Sequence, residues 1–549
     1  MLTEILSSFL MFLAIKWLLK IFASRSPLSD LPGPAPHSWL SGNLGQLFNS
    51  KGMPFHLSLA DTYGGVVKVY GFFGDEQLYV SDPRALQSII SKDQDCFEET
   101  SVFTETNKVI FGPGLVATTG EQHKRQRRAV IPIFGVPQLR RIMPVFYEIA
   151  EKFSVVLEAE VRDRKSKNDS IHPEAPVLDM SDWMSRVALE SVGRTVLGYS
   201  FDPLDSPHNN PYTSAVKELI PTLFRLALVR QFAPFLAKLG PTWFRRKLVE
   251  WTPNSAVQKI KDMSDVMHDT AVKILQGKRE AMNVGLGDGE TENLAGGRDI
   301  ITALLKANED SKQTGGEQLT DSELTGQMTV LIFGAQDTTS SCLSRLLHLL
   351  AQHPDVQDKI RAEIRSAQQD KENYSKDDRL SYDAISKLPW LEAVIKETLR
   401  LYPPVPFVRR SCIKETVLSF TKPTGELSSV TVPKGTILFV GIATANRLET
   451  IWGSDAKEWK PERWLSDTSP MAQDPSLKLP GIYHGMLSFF GGGRACVGYK
   501  FAQLEISAYS RHPLFPILTC LQPSGEANCM EPLSNSLTLS AKLEYQRRG

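Results

Sequence analysis

The chain carries no net charge: its 62 lysines and arginines are offset by 62 aspartates and glutamates. Without an overall field nothing recruits nucleic acid from a distance, so any basic patch is local and the expected partners are uncharged or small. Cysteine is scarce as well. Its six copies (Cys96, Cys342, Cys412, Cys496, Cys520 and Cys529) are widely scattered, with neither the close pairs of a zinc site nor the density of a disulfide scaffold. They read as reduced thiols facing the cytosol. Strand-like patterns are few, at 66–70, 77–80 and 436–440, too few for a sheet-based fold. No internal repeat is present. The glycosylation triplets at Asn168 and Asn373 are discounted, because such triplets are common by chance and act only on a lumenal domain.

What the chain does have is apolar material: 42% of its 549 residues are hydrophobic, enough for a large core. Most of it recurs at helical spacing between short polar loops, so the expected class is mainly α, a large helical domain with a small β-rich subdomain. The run Ile5–Phe22 is apolar apart from a few hydroxyls and Lys16 and Lys20. It follows Glu4 rather than a basic stretch and shows no clear small-residue cleavage site, which favours a single-pass anchor helix over a signal peptide. With Lys16, Lys20 and Arg25 on its carboxyl side, the positive-inside bias leaves the rest of the chain in the cytoplasm. In Leu31-Pro32-Gly33-Pro34-Ala35-Pro36, alternate prolines forbid helix and favour a stiff extended strut. The expected organisation is an anchor over 1–24, a proline-rich hinge over 25–36 and the functional domain over 37–549. Arg162–Pro176 and Gly285–Gly297, poor in apolar residues, are expected to be flexible loops.

The sharpest local signal is Phe489-Phe490-Gly491-Gly492-Gly493-Arg494-Ala495-Cys496-Val497-Gly498, followed at once by a helical pattern from Tyr499. A thiolate bound to ferric iron needs backbone donors and a following helix N-terminus to stabilise its charge, and glycines let the backbone come that close. Cys496 is therefore the candidate axial ligand of a haem b, and Phe489 the shield of its sulfur from water. Arg494 is the candidate partner of a haem carboxylate, which stays ionised in an interior only beside a cation. The bland alternative is a glycine-rich turn holding a buried free cysteine. The loop matches, at every fixed position, the signature Phe-x-x-Gly-x-Arg-x-Cys-x-Gly, and on those residues the chain resembles the cytochrome P450 superfamily.

Further motifs fall in that family's order. Thr320-Asp321-Ser322-Glu323 reads as a capping box opening a long helix, and mid-way along it lies Gly334-Ala335-Gln336-Asp337-Thr338-Thr339. Thr338 is four residues after Gly334, so its hydroxyl can take that residue's carbonyl and open a groove for dioxygen and water. Cleaving the O–O bond consumes two protons; Asp337 is the candidate relay and Thr338 the group that positions what receives them. Glu397 and Arg400 share one helix face, and with Arg463 of Pro461-Glu462-Arg463-Trp464 they resemble the family's buried triad, a lock for folding and haem retention with no chemical role. Gly120–Arg128 resembles the helix that often carries Trp-x-x-x-Arg, with His123 in place of the tryptophan. His123 and Arg127, one turn later, are candidates for a haem carboxylate; an exposed basic helix is the alternative. Arg410 is the next candidate, Arg409 being less well placed by family spacing. Val330, Phe333, Val405 and Phe407 match the family's substrate-lining positions, and all four are apolar.

The resemblance implies the P450 fold and a haem-thiolate monooxygenase that inserts one oxygen atom from dioxygen into an apolar small molecule, by hydroxylation or a related oxidation. It also implies electrons from NADPH through an external flavoprotein reductase, with cytochrome b5 as a second partner, since no flavin or nicotinamide domain fits in the remaining length. The location implied is the endoplasmic reticulum membrane, with the catalytic domain in the cytoplasm. The anchor, strut and His123–Arg127 variant are similar to fungal secondary-metabolism members, whose substrates include terpenoids and polyketides. One departure stands out: Ile506-Ser507-Ala508-Tyr509-Ser510-Arg511-His512-Pro513 breaks early with proline where the family's helix continues. Three alternatives stay open: an isomerase or dehydratase reusing Cys496, a haem sensor, and a haem-free inactive scaffold.

Overall fold

The computed structural model describes residues 26–166, 177–205, 211–283, 299–370, 379–465, 478–511, 521–523 and 538–541. The expected anchor, the loop Gly285–Gly297, most of Arg162–Pro176, Asn168, Asn373 and the residues 512–520 that follow the early break lie outside them.

The body is helical. Its amino-terminal half is built from α1 (Met53–Tyr63), α2 (Ser101–Phe111), α3 (Gly120–Val130), α4 (Val136–Ser166), α5 (Met180–Val192) and α6 (Pro211–Arg225). Next come α7 (Thr242–Trp251), α8 (Ser255–Asn283), α9 (Ile300–Gln313), α10 (Asp321–Gln352), α11 (Pro354–Gln369), α12 (Pro389–Leu401) and α13 (Tyr499–Arg511). α10 is the central column. Its N-terminus is the expected capping box: the Thr320 hydroxyl accepts the Glu323 amide at 3.3 Å and the Glu323 carboxylate accepts the Thr320 amide at 3.0 Å. Helices α2, α5, α8, α12 and α13 pack around it, so its residues are buried on every side from Glu323 to Ile332.

The strands are short. β1 (Val66–Tyr70), β2 (Glu76–Val80), β3 (Phe97–Glu99), β5 (Val408–Cys412) and β8 (Ile437–Val440) form one sheet in the order β1-β2-β8-β5-β3, with β2 and β8 parallel. β4 (Val177–Asp179) pairs with β10 (Thr538–Ala541), which pairs with β9 (Leu521–Pro523), and β6 (Thr416–Thr421) with β7 (Leu427–Val432) forms a hairpin. β1, β2 and β8 are the three expected strands.

The proline segment is extended, but it is not a free hinge. The Lys68 amide in β1 donates to the Pro32 carbonyl at 2.9 Å, the Asn43 side chain donates to Ala35 at 3.0 Å, and a Cβ on Gly33 would come within 1.9 Å of the Lys68 carbonyl. Proline lacks a donor but keeps its acceptor, so the strut lies along the sheet edge and is held from one side. Among the described residues no single helix is long and apolar enough to cross a membrane; one pair bent by 77°, Glu218–Arg225 with Val229–Leu236, passes by length and composition.

Candidate active site

The cysteine loop turns sharply before α13. Phe490 adopts φ 58°, in the left-handed region that a bulky residue rarely occupies, and Gly492 follows at φ 59°, where a Cβ would meet the Ile90 carbonyl at 2.0 Å. The Cys496 amide donates to the Phe489 carbonyl at 2.9 Å. The cysteine is exposed as a residue, yet protein surrounds its thiol deeply enough that burial pushes it up; the Gly498 amide and Arg127 act against that rise. Phe489 is half-buried, its ring 5.2 Å from that of Tyr483 and 6.1 Å from that of Tyr499.

The four candidate carboxylate partners come together beside this loop. Burial first, then Arg494 and Arg127, lowers the buried His123 imidazole to about 4, so it is neutral at physiological pH and keeps one N–H to donate. Arg127, depressed by burial, is near enough to Cys496 for their charges to interact. Arg410 is buried in β5, its guanidinium 4.7 Å from the Phe490 ring centre. Arg494 donates to the Thr118 carbonyl at 3.1 Å. Arg409 turns away to Gln231 at 2.8 Å and the Phe48 ring.

In α10 the Thr338 hydroxyl donates to the Gly334 carbonyl at 2.7 Å, the contact expected from their spacing. Gly334 is exposed in the middle of a buried helix, and a Cβ there would meet nothing within 4 Å. Burial alone raises the Asp337 carboxyl to about 6. Asp337 borders a cavity of about 820 Å³ whose wall also includes Ser340, Arg345, Tyr402, Phe407 and Arg447. Phe407 is the one expected substrate-lining residue on that wall. Val330 is buried against the Gly114 backbone, Phe333 packs on Phe111 with ring centres 4.9 Å apart, and Val405 is 41% exposed. The proline turn before Val405 swings its side chain outward.

The expected lock is closed. Both Glu397 oxygens accept from Arg400 at 2.8 Å, and Arg463 and the Trp464 indole add bonds at 3.3 and 3.0 Å. The remaining Arg400 donors reach the carbonyls of Asn446, Ala456 and Glu458, so buried charge is fully matched.

The family model for Cytochrome P450 matches residues 32–513. The chain belongs to the cytochrome P450 family. It is 38% identical over 507 residues to Cytochrome P450 monooxygenase 91 of Postia placenta, covering 91% of this chain and 90% of that one. Cytochrome P450 monooxygenase 212 of the same fungus is 39% identical over 488 residues, 88% of this chain and 86% of the relative. A ganoderic acid synthetase of Ganoderma lucidum is 37% identical over 506 residues, 91% and 88% respectively. This P450 is therefore a monooxygenase, an oxidoreductase of the haem-thiolate class.

The residues present fit that group: an exposed cysteine, a helix glycine whose added Cβ would meet nothing within 4 Å, and three guanidinium groups with a neutral imidazole for the two haem carboxylates. Sequence reasoning missed several residues of this P450 that hold the site's shape. Gln94 accepts the Gly493 amide at 3.0 Å, while Glu323, besides its cap, accepts from Gln122, Arg125 and Gln126 and so ties α3 to α10. Glu98 and Glu99 grip Arg494 and Arg410. Each contact spans distant parts of the chain, and no local pattern announces it.

Proposed function

We propose that this P450 inserts one oxygen atom from dioxygen into an apolar small molecule of terpenoid type, taking electrons from NADPH through a separate flavoprotein reductase at the endoplasmic reticulum membrane. The observation that carries the oxygenase reading is the Thr338–Gly334 bond with Asp337 beside it. A thiolate-ligated haem supplies O–O cleavage and substrate oxidation. Cys496 would hold the iron, and His123, Arg127, Arg410 and Arg494 the haem carboxylates. Thr338 takes a helix carbonyl and frees polar groups to position water. Asp337, with a carboxyl at about 6, sits close enough to neutrality both to release a proton and to regain one from the cavity it borders.

The terpenoid class rests on the ganoderic acid synthetase relative. The membrane reading gains support from the exposed aromatics along 232–251, Phe232, Phe235, Trp243 and Trp251, interspersed in sequence with Lys238, Arg245, Arg246 and Lys247. The Phe72–Phe232 ring contact, 5.6 Å between centres, brings the turn with exposed Phe73 to the start of that stretch.

The test is the reduced carbon-monoxide difference spectrum of membranes expressing the chain and its Cys496→Ser variant, followed by product analysis with a reductase and NADPH on a panel of terpenoids. A red-shifted Soret band that depends on Cys496, with an oxygenated product, is the expected result. No band in either sample would sink the proposal, and a band with conversion that needs no reductant would favour an isomerase or dehydratase.

A further inference from the structure

Strand β3 puts two consecutive carboxylates beside the cysteine loop. Glu99 stands opposite Arg410 of β5 in the strand register, and its carboxylate meets that guanidinium at 2.9 Å, both side chains largely buried. Glu98 leaves the other face of the strand. It accepts from Arg494, from its own neighbour's amide at 2.9 Å and from the Gly120 amide at the start of α3 at 3.2 Å. One side chain thus joins β3, the cysteine loop and the helix carrying His123 and Arg127.

These acids solve a problem of like charge. Arg127, Arg410 and Arg494 crowd round one imidazole, and each adds to the depression of His123. Guanidinium groups that close, in a partly desolvated place, repel one another unless anions separate them. Glu98 is held ionised against its burial by amides and Arg494, while burial pushes Glu99 up against the pull of Arg410 and Arg494. Three guanidinium groups face two carboxylates of the protein, which leaves fewer free cations than the two carboxylates of a haem.

We propose that Glu98 and Glu99 are positioning residues of the haem site: they hold Arg494 and Arg410 ready for the haem carboxylates, then remain beside them as fixed negative charge that lowers the reduction potential of the haem. The proposal rests on the haem-thiolate reading above. Fixed anions favour the ferric over the ferrous state, so removing one moves the equilibrium toward ferrous haem. The strap role is separate: while haem is absent the acids alone compensate the arginines, and once it is bound its carboxylates share the task.

The test uses the full-length chain with Glu98→Gln, Glu99→Gln and, as control, Glu317→Gln, which loses only an exposed pair with Arg128 at 3.3 Å. Spectroelectrochemical titration should move the ferric/ferrous equilibrium about threefold per carboxylate removed, roughly 30 mV upward given about 59 mV per tenfold for one electron. The control should not move. Thermal midpoints should fall more in the haem-free than in the haem-loaded form of each variant. Glu98→Gln, in a half-exposed position, keeps the test open where Glu99→Gln fails to fold. A wild-type chain lacking the red-shifted carbon-monoxide band would overturn the haem reading and the proposal with it. A normal band with unmoved potentials, or equal losses of stability in both forms, would overturn the proposal alone.

Discussion

Two of the places where the molecule gathers charge away from solvent treat it in opposite ways. At Glu397, Arg400 and Arg463 every oxygen and nearly every donor is matched within the protein, and Glu397 and Arg400 are wholly inaccessible. Around Cys496, among the described residues, the cations outnumber the acids, the cysteine itself is exposed, and across in α10 the half-buried Asp337 has no described cation lowering it. A closed network of buried charge stabilises only itself; an unbalanced one is costly until something else completes it. The first arrangement belongs to the fold, the second to the chemistry.

Breaking the closed network should have the larger effect. Glu397→Ala leaves the buried Arg400 guanidinium without its acid, while Arg463 keeps Asp455 at 2.7 Å, and should cost about 3–5 kcal/mol, read as a lower denaturant midpoint. A loss under about 1 kcal/mol would dissolve the contrast. Removing the acid from the open site should act with the opposite sign. The Asp337 carboxyl stands at about 6, above its ordinary 3.8, so between those values the native chain holds a proton that the unfolded chain has released, and stability falls as pH rises. Asp337→Asn should therefore gain about 3 kcal/mol at pH 7, with the gain vanishing below about pH 4. Turnover should drop on the order of a hundredfold. Chemical denaturation across pH, paired with product formation, checks both. The smallest effects separate two residues of one turn. Phe407→Ala loses stacking on His56 at 4.7 Å and should cost about 2 kcal/mol and alter the product profile. Val405→Ala, at an exposed position, should stay within about 0.5 kcal/mol and leave products unchanged.

Much of this was legible in the sequence, for physical reasons. Helical periodicity marked the body, and the cap at Thr320 and the Thr338–Gly334 bond follow from spacing within one helix. The cysteine loop and the Glu397–Arg400 pair are equally local. Glu98 lay hidden because its partner Arg494 is 396 positions away, in a strand of three residues too short and too charged to show alternation. Val405 reads as lining in a linear pattern, yet its exposure depends on how the Tyr402–Pro406 turn leaves α12. Alternate prolines read as a stiff extended strut; that the Pro32 carbonyl would accept from β1 depends on a strand more than thirty residues on.

That pinned strut has a mechanical consequence. It meets the sheet at β1, while Glu98, Glu99 and Arg410 lie at the opposite edge, in β3 and β5. Tension applied to the chain ahead of residue 32 therefore enters a five-stranded ribbon whose far border grips Arg494 of the cysteine loop. The strut and the chemical centre are two margins of one hydrogen-bonded plate, and a pull strong enough to shear that plate would disturb both.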